Sequence, residues 1–160
     1  MPQKASFKVG DFLYYIYAAV GIVLTAIDLI IKHIVNAAKP SFPVIDGVFH
    51  ITYAENTGAA FSMFSGFPHF TTVLTIVLIL ILIGYIIYSK PKKHIELTAF
   101  TLMISGGIGN LINRLTLGYV VDFFDFRLIN FAIFNTADVF IVVGAGLFIL
   151  STFLTSGKKG

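Results

Sequence analysis

Three of the eight acidic residues in this 160-residue chain lie within one stretch, VVDFFDFRLINFAIFNTAD, at residues 120–138. Asp122 and Asp125 stand among valines and phenylalanines, and Asp138 opens a long apolar run. A carboxylate in apolar surroundings is costly unless it is hydrogen-bonded, paired with a cation or used for acid–base chemistry. Asp122 lacks the polar neighbours that a solvated loop acid normally has, so its position favours a functional role.

Asp138 also has a structural interpretation that needs no chemistry. Asn135 lies three residues before it at the start of an apolar run, a spacing typical of a capping box that opens a helix. An acid in the first turn also suits the helix dipole. From these two residues alone, a cap is favoured over a catalytic role, and both interpretations remain open.

Further polar residues interrupt other apolar segments. Asp28 and Lys32 are four residues apart, which predicts either a local ion pair whose lysine reaches the membrane interface or a pair that braces other polar groups. One helical face carries Gly106, Asn110 and then Asn113 or Arg114, which recur at spacings of three or four residues. Small residues allow two helices to approach closely, and an asparagine can form hydrogen bonds across their contact. The forked guanidinium of arginine is instead suited to binding a carboxylate or a carbonyl.

The composition predicts the class of fold that positions these residues. Hydrophobic residues make up 57% of the chain and charged residues 12%, against about a quarter charged in soluble domains. A membrane-spanning helix needs roughly 20 mostly apolar residues. Four segments qualify, at residues 12–34, 70–88, 95–113 and 138–154. We therefore expect an all-α membrane protein with four transmembrane helices, formed by residues 1–160 as a single domain.

The distribution of lysines predicts the orientation. Seven lysines fall on one side of a four-span arrangement: Lys4, Lys8, Lys90, Lys92, Lys93, Lys158 and Lys159. The positive-inside rule then places both termini in the cytoplasm. The loops at about 36–69 and 114–134, which contain Lys39, Arg114 and Arg127, should face outward.

The outward loops predict a second kind of structure. The turn signal at Asp46-Gly47 precedes a β-prone run over residues 48–53, so we expect a small extracytoplasmic β subdomain. The lysines lie in short clusters beside apolar segments and form no basic stripe, so nucleic-acid binding is not expected. The absence of cysteine excludes disulfides, thiolate metal sites and a cysteine nucleophile.

Five stretches occur in the order found in one known family. They are Asp28-x-x-x-Lys32, NTGAAF at residues 56–61, GGIGNLINR at 106–114, VVDFFDF at 120–126 and FNTAD at 134–138. In these blocks the chain resembles the lipoprotein signal peptidases, or signal peptidase II. It departs at Asn113, where the family pattern usually has an acid. The amide keeps a hydrogen-bonding group but loses a charge.

The resemblance implies an intramembrane aspartyl protease of the bacterial cytoplasmic membrane. Such an enzyme removes the signal peptide from diacylated prolipoproteins just before the lipid-bearing cysteine. The motifs imply that Asp122 and Asp138 are the catalytic pair, and that Asp125 is a less suitable catalyst. Polar residues implied around the pair are Asn56, Gly58, Asn110, Arg114 and Asn135. We expect a monomer in contact with membrane lipids, with its active site on the extracytoplasmic side, and no metal or other cofactor.

Two carboxylates can hydrolyse a peptide bond by sharing one proton. The ionised group takes a proton from water while the protonated group donates to the carbonyl oxygen. Asp122 lies on the loop that leaves the third span and Asp138 begins the fourth, so the loop can fold back to bring them together. The aromatic residues of this loop could form an interfacial lid or an ordinary aromatic belt: Phe123, Phe124, Phe126, Phe131 and Phe134.

Two other classes of protein remain as alternatives. A small proton-coupled transporter would use membrane acids as an ion path, and would place them near the bilayer midplane, usually within paired repeats. The chain shows no internal repeat, and its polar residues gather near the ends of the spans. A noncatalytic scaffold that binds lipoproteins would have no reason to bring two distant aspartates together.

Overall fold

The computed structural model of the chain describes residues 9–58, 68–129 and 131–156. Its helices are α1 Val9–Ala38, α2 Pro68–Ser89, α3 His94–Leu117 and α4 Thr136–Ser156. Its strands are β1 Ser41–Ile45, β2 Phe49–Asn56 and β3 Val120–Phe126. Within the described residues, four helices are long and apolar enough to cross a membrane. The predicted fold class, four membrane helices with a small sheet, is confirmed.

Helix α3 is the centre of the bundle, because α1, α2 and α4 each pack against it. Its glycines allow this close approach. A side chain on Gly106 would collide with the backbone carbonyl of Ala137 in α4, and one on Gly109 would collide with the carboxylate of Asp28 in α1. The small face predicted from the sequence therefore lies where α3 meets two neighbouring helices.

The three strands form an antiparallel sheet in the order β1-β2-β3. The β1–β2 turn contains Gly47, whose positive φ of +69° favours glycine. Helix α3 ends at Gly118, which adopts the left-handed conformation and donates its N–H to the carbonyl of Arg114. Strand β3 follows at once, so the sheet lies at the end of the bundle where α1 and α3 end and α4 begins.

A small apolar cluster attaches the sheet to helix α1. Val35 of α1 is buried together with Val121 and Phe123 of β3. Beside this cluster, the Tyr53 hydroxyl of β2 donates a hydrogen bond of 2.9 Å to Asn36 Oδ1 of α1. Apolar packing and a polar contact thus fix the strands relative to the helices.

The structure changes several details of the sequence analysis. Each helix extends beyond its predicted span, and Arg114, predicted in an outer loop, lies in the last turn of α3. Phe123 is only 3% exposed and packs in the apolar cluster, so its inclusion in an interfacial lid or aromatic belt is wrong. Residues 59–61 of the NTGAAF block, and the lysines of both terminal segments, lie outside the described residues.

Candidate active site

Asp122 lies on β3 with only 2% of its surface exposed. Its Oδ2 accepts a hydrogen bond of 2.9 Å from Asn56 Nδ2, and its Oδ1 accepts one of 2.6 Å from Asn135 Nδ2. The sheet register explains the first contact. Ala54 pairs with Asp122 and Asn56 pairs with Val120, so Asn56 is a diagonal neighbour of Asp122 on the same face.

Asp138 lies in the first turn of α4 and forms a reciprocal cap with Asn135. The Asn135 backbone N–H donates to Asp138 Oδ2 at 3.1 Å, and the Asp138 backbone N–H donates to Asn135 Oδ1 at 3.1 Å. These are the two bonds of a capping box, as the residue spacing predicted. The other carboxylate oxygen, Oδ1, accepts a hydrogen bond of 2.8 Å from Asn110 Nδ2.

Asn135 therefore joins the two carboxylates. Its backbone N–H and its Oδ1 belong to the cap with Asp138, whereas its Nδ2 donates to Asp122. The loop between β3 and α4 folds back as the sequence analysis expected, and both acids bind the same residue. The capping role and the pairing of the acids use different atoms of Asn135, so they are compatible.

A buried polar chain supports Asp138 from the other helices. Asn110 Oδ1 accepts a hydrogen bond of 2.7 Å from Lys32 Nζ, which also lies 2.8 Å from Asp28 Oδ2. Asp28 Oδ1 in turn accepts from the hydroxyl of Thr136, the first residue of α4. Lys32 is 1% exposed and Asp28 0%. The lysine does not reach the interface, and the pair braces other polar groups.

Arg114 holds the segment that follows β2. Its Nη2 donates a hydrogen bond of 3.0 Å to the carbonyl of Gly58, and the N–H of Gly58 donates to Asn56 Oδ1 at 2.9 Å. The arginine thus binds a carbonyl, one of the two partners predicted for its fork. Arg114 Nε is buried and has no hydrogen-bond partner in the described part of the chain.

Asn113, the departure from the family pattern, acts on the backbone of β3. Its Oδ1 accepts a hydrogen bond of 3.2 Å from the N–H of Val121, directly before Asp122. Only an acceptor oxygen is needed for this contact, and an amide supplies one as well as a carboxylate does. The contact that holds β3 next to Asp122 therefore does not depend on a charge at position 113.

Asp125 is separated from the pair by the geometry of the strand. It lies three residues after Asp122, and side chains alternate between the two faces of a strand. Its Oδ2 accepts hydrogen bonds of 2.9 Å from Arg127 Nε and 2.9 Å from Thr52 Oγ1. Burial tends to raise the pKa of Asp125, but these two donors outweigh burial and hold the pKa below its ordinary value. Asp125 therefore has the contacts of a structural acid.

The surroundings of Asp122 raise its pKa above the ordinary value. Together they raise the pKa of Asp122 to about 6, with burial as the largest cause and the negative charge of Asp138 acting in the same direction. The hydrogen bonds from Asn135 and Asn56 act in the other direction because they stabilise the ionised form. Asp122 can therefore exchange a proton near neutral pH, as a catalytic acid or base must.

Two further sets of polar contacts, those of Thr136 and of the sheet tyrosines, were not predicted from the sequence. Thr136 bonds Asp28, and Tyr53 and Tyr119 share Asn36 Oδ1 as an acceptor. The position of Thr136 inside the FNTAD block was the only available signal. Among the described residues, no group of three or more His, Cys, Asp or Glu side chains could hold a metal ion.

Fold and site together define a multi-pass membrane protein. At one end of its helical bundle, two carboxylates are hydrogen-bonded to the same asparagine. Residues 20–154 match the family model for Signal peptidase (SPase) II. The chain is 41% identical to a lipoprotein signal peptidase of Microcystis aeruginosa, over 88% of this chain and 91% of that protein. It is 38% identical to one of Fusobacterium nucleatum subsp. nucleatum, over 97% and 95%. The chain belongs to the signal peptidase II family.

Solved structures give the same result for the fold. A bacterial membrane enzyme determined at 2.3 Å superposes with a TM-score of 0.82 and 29% identity, covering 90% of this chain and 91% of that one. A second, determined at 1.9 Å, gives a TM-score of 0.75 and 30% identity over 85% and 91%. The chain is thus a membrane peptidase by family, with the fold of solved bacterial membrane enzymes.

Proposed function

We propose that the chain is an aspartic endopeptidase that removes the signal peptide from diacylglyceryl-modified prolipoproteins, cleaving just before the lipidated cysteine. Asp122 and Asp138 form its catalytic pair. The observation that carries the proposal is the bonding of both carboxylates to Asn135, with Asp122 buried on the strand and Asp138 in the first turn of α4. The substrate class follows from family membership and from the names of the relatives.

The pair catalyses hydrolysis by moving protons between water and the peptide. The ionised carboxylate takes a proton from water as the water oxygen bonds to the peptide carbon, and the protonated carboxylate donates to the carbonyl oxygen. As the C–N bond breaks, the first carboxylate gives its proton to the departing amine. A hydroxyl proton of the intermediate returns to the second carboxylate. Each carboxylate oxygen has lone pairs beyond its present hydrogen bonds, so water has an acceptor.

The surrounding residues position the pair. Asn56 and Asn135 hold Asp122, and Asn110 holds Asp138. Gly58 is bonded to Arg114 through its carbonyl and to Asn56 through its N–H, so it supports the asparagine that holds Asp122. Asp28 and Lys32 have a structural role behind Asn110.

The proposed orientation places the sheet end of the bundle outside the cytoplasm and both termini inside it. Lys90 and Lys92 support it, because they are exposed at the connector between α2 and α3, at the opposite end of the bundle. A site at the outer boundary gives water access to the scissile bond while the lipid on the substrate stays in the bilayer. We propose that the enzyme works there as a single-domain monomer among membrane lipids.

The site favours this function over the alternatives. A carrier would need its acids along the bundle midplane, whereas Asp138 lies at the start of α4 and Asp122 on the sheet beyond the helices. A noncatalytic scaffold has no need for two buried acids that are bonded to the same residue, Asn135. For the aromatic loop, Phe126 and Phe131 are 38% and 43% exposed, so they are the residues that could form a lid or an interfacial belt.

Cleavage of a diacylated prolipoprotein by the purified full chain in detergent tests the proposal. Asp122→Asn and Asp138→Asn should each abolish the shortened product, because the amide cannot exchange the proton, while both variants still insert into membranes. Asp125→Asn is the matched control and should retain most activity, since Asp125 is bonded to Arg127 and Thr52 instead. Normal cleavage by either dyad variant would remove that residue from the catalytic pair.

A further inference from the structure

A separate groove runs along helix α1 on the side that faces α2 and α3. It has a volume of about 610 Å³ and extends along α1 from Tyr14 to Leu29. Phe100 and Ile104 of α3 line one side, and Ile86 of α2 borders it near the Tyr14 end. Neither carboxylate of the catalytic pair lines this groove, so it is distinct from the proposed active site.

The groove is suited to a hydrocarbon chain. Its lining is mostly apolar, and two of its hydroxyls are bonded within the helices: Ser105 Oγ donates to the carbonyl of Thr101 at 2.6 Å, and Thr25 Oγ1 donates to that of Ser105 at 3.3 Å. At about 1.5 Å per helical residue, the distance from Tyr14 to Leu29 is roughly 22 Å. This exceeds the roughly 15 Å hydrocarbon thickness of one leaflet, half of a core of about 30 Å.

One end of the groove carries positive charge. The Tyr14 hydroxyl donates a hydrogen bond of 2.9 Å to the carbonyl of Pro91 in the α2–α3 connector, which fixes this connector at the groove end. Lys90 and Lys92 flank Pro91 and are exposed. In the parts of the chain that the structure describes, neither lysine forms an ion pair. The Tyr17 hydroxyl lies 3.0 Å from His94 Nδ1 and adds polar groups there.

We propose that this groove binds an anionic phospholipid of the bilayer, with one acyl chain along α1 and the phosphate beside Lys90 and Lys92. Charge complementarity selects this occupant over the signal peptide of a substrate. A signal peptide carries its positive n-region at its cytoplasmic end, where these lysines would repel it. The bound lipid fills the space beside α1 and the end of α2, two helices that both pack against α3.

Native mass spectrometry of the purified full chain tests the proposal by titrating phosphatidylglycerol or phosphatidylcholine of equal chain length. The wild-type chain should retain one phosphatidylglycerol in preference to phosphatidylcholine. Lys90→Gln and Lys92→Gln should each weaken phosphatidylglycerol binding about fivefold, the effect of losing one basic side chain near an anionic lipid surface. Ala18→Phe should abolish binding of both lipids, because Ala18 is exposed inside the groove.

Two matched controls separate this site from general lipid contact. Val142→Phe places the same aromatic ring on α4, where Val142 is 70% exposed, and Lys39→Gln removes a charge at the sheet end. Both should bind phosphatidylglycerol like the wild type. Equal retention of the two lipids, or equal effects of Ala18→Phe and Val142→Phe, would overturn the proposal. So would displacement of the lipid by a synthetic signal peptide, or a wild-type dimer that Ala18→Phe dissociates.

Discussion

Replacing Asn56 with alanine should shift the pH dependence of cleavage to higher pH. Asn56 Nδ2 donates a hydrogen bond of 2.9 Å to Asp122 Oδ2, and the pKa of Asp122 lies at about 6. A hydrogen bond to a charged group contributes about 1.5–3 kcal/mol, and about 1.36 kcal/mol corresponds to one pH unit. Asn56 is half-buried, so water replaces part of the lost bond, and we expect a shift of about one unit.

The measurement is kcat/KM for a lipidated fluorogenic peptide in detergent between about pH 4 and pH 9. In the plot of kcat/KM against pH, the limb that reports the titration of Asp122 should lie near pH 6 in the wild type and near pH 7 in Asn56→Ala. Thr52→Val is the matched control, because Thr52 is on the same strand but donates to Asp125. It should leave this limb in place. An unchanged limb in Asn56→Ala, or one moved to lower pH, would refute the argument that Asn56 stabilises ionised Asp122.

Three further predictions concern stability and charge. Relative to the wild type, Asp122→Asn should gain up to about 3 kcal/mol of stability, followed as the melting temperature in detergent, as the pH rises from about 3.8 to above about 6. Native Asp122 keeps its proton up to about pH 6 whereas the unfolded chain releases it near pH 3.8, so only the wild type loses stability across that window. The gain should vanish at pH values below that window. Lys32→Met should destabilise by about 3–5 kcal/mol because Asp28 remains buried without its cation, and the double variant with Asp28→Leu should melt at a higher temperature than Lys32→Met alone. Asn113→Asp should retain cleavage, since its oxygen still accepts a hydrogen bond from the N–H of Val121. It should also move the Asp122 limb of the pH profile to higher pH, because it adds a negative charge nearby. A limb at the wild-type pH would show that this charge does not affect Asp122.

Local pattern was enough to predict several elements of this protein. Long apolar segments predicted the four membrane helices, and the Asp46-Gly47 turn followed by β-prone residues predicted the sheet. The spacing of Asn135 and Asp138 predicted the helix cap, because both bonds of a capping box form within one turn. These features depend on residues close in sequence, so periodicity and turn chemistry were sufficient.

Contacts between segments that are distant in the sequence could not be predicted from local pattern. The bond from Lys32 to Asn110 depends on the packing of α1 against α3, which is possible because Gly109 leaves room for Asp28. The bond from Arg114 to Gly58 requires the end of β2 to lie over α3. The burial of Phe123 in the sheet cluster likewise depends on how the strands meet α1. Spacing along the chain contains no information about these distances.

The two interpretations of residues 135–138 that the sequence left open are both properties of one side chain. Asn135 uses an acceptor oxygen for the backbone of Asp138 and a donor nitrogen for the carboxylate of Asp122. Aspartate at this position would keep the acceptor but lose the donor, and would add a third negative charge. Serine would keep a good cap with a shorter reach. Because a short amide supplies both functions, the cap that starts α4 also fixes the position of Asp138 relative to Asp122, and the geometry of the proposed catalytic pair is set by the helix terminus itself.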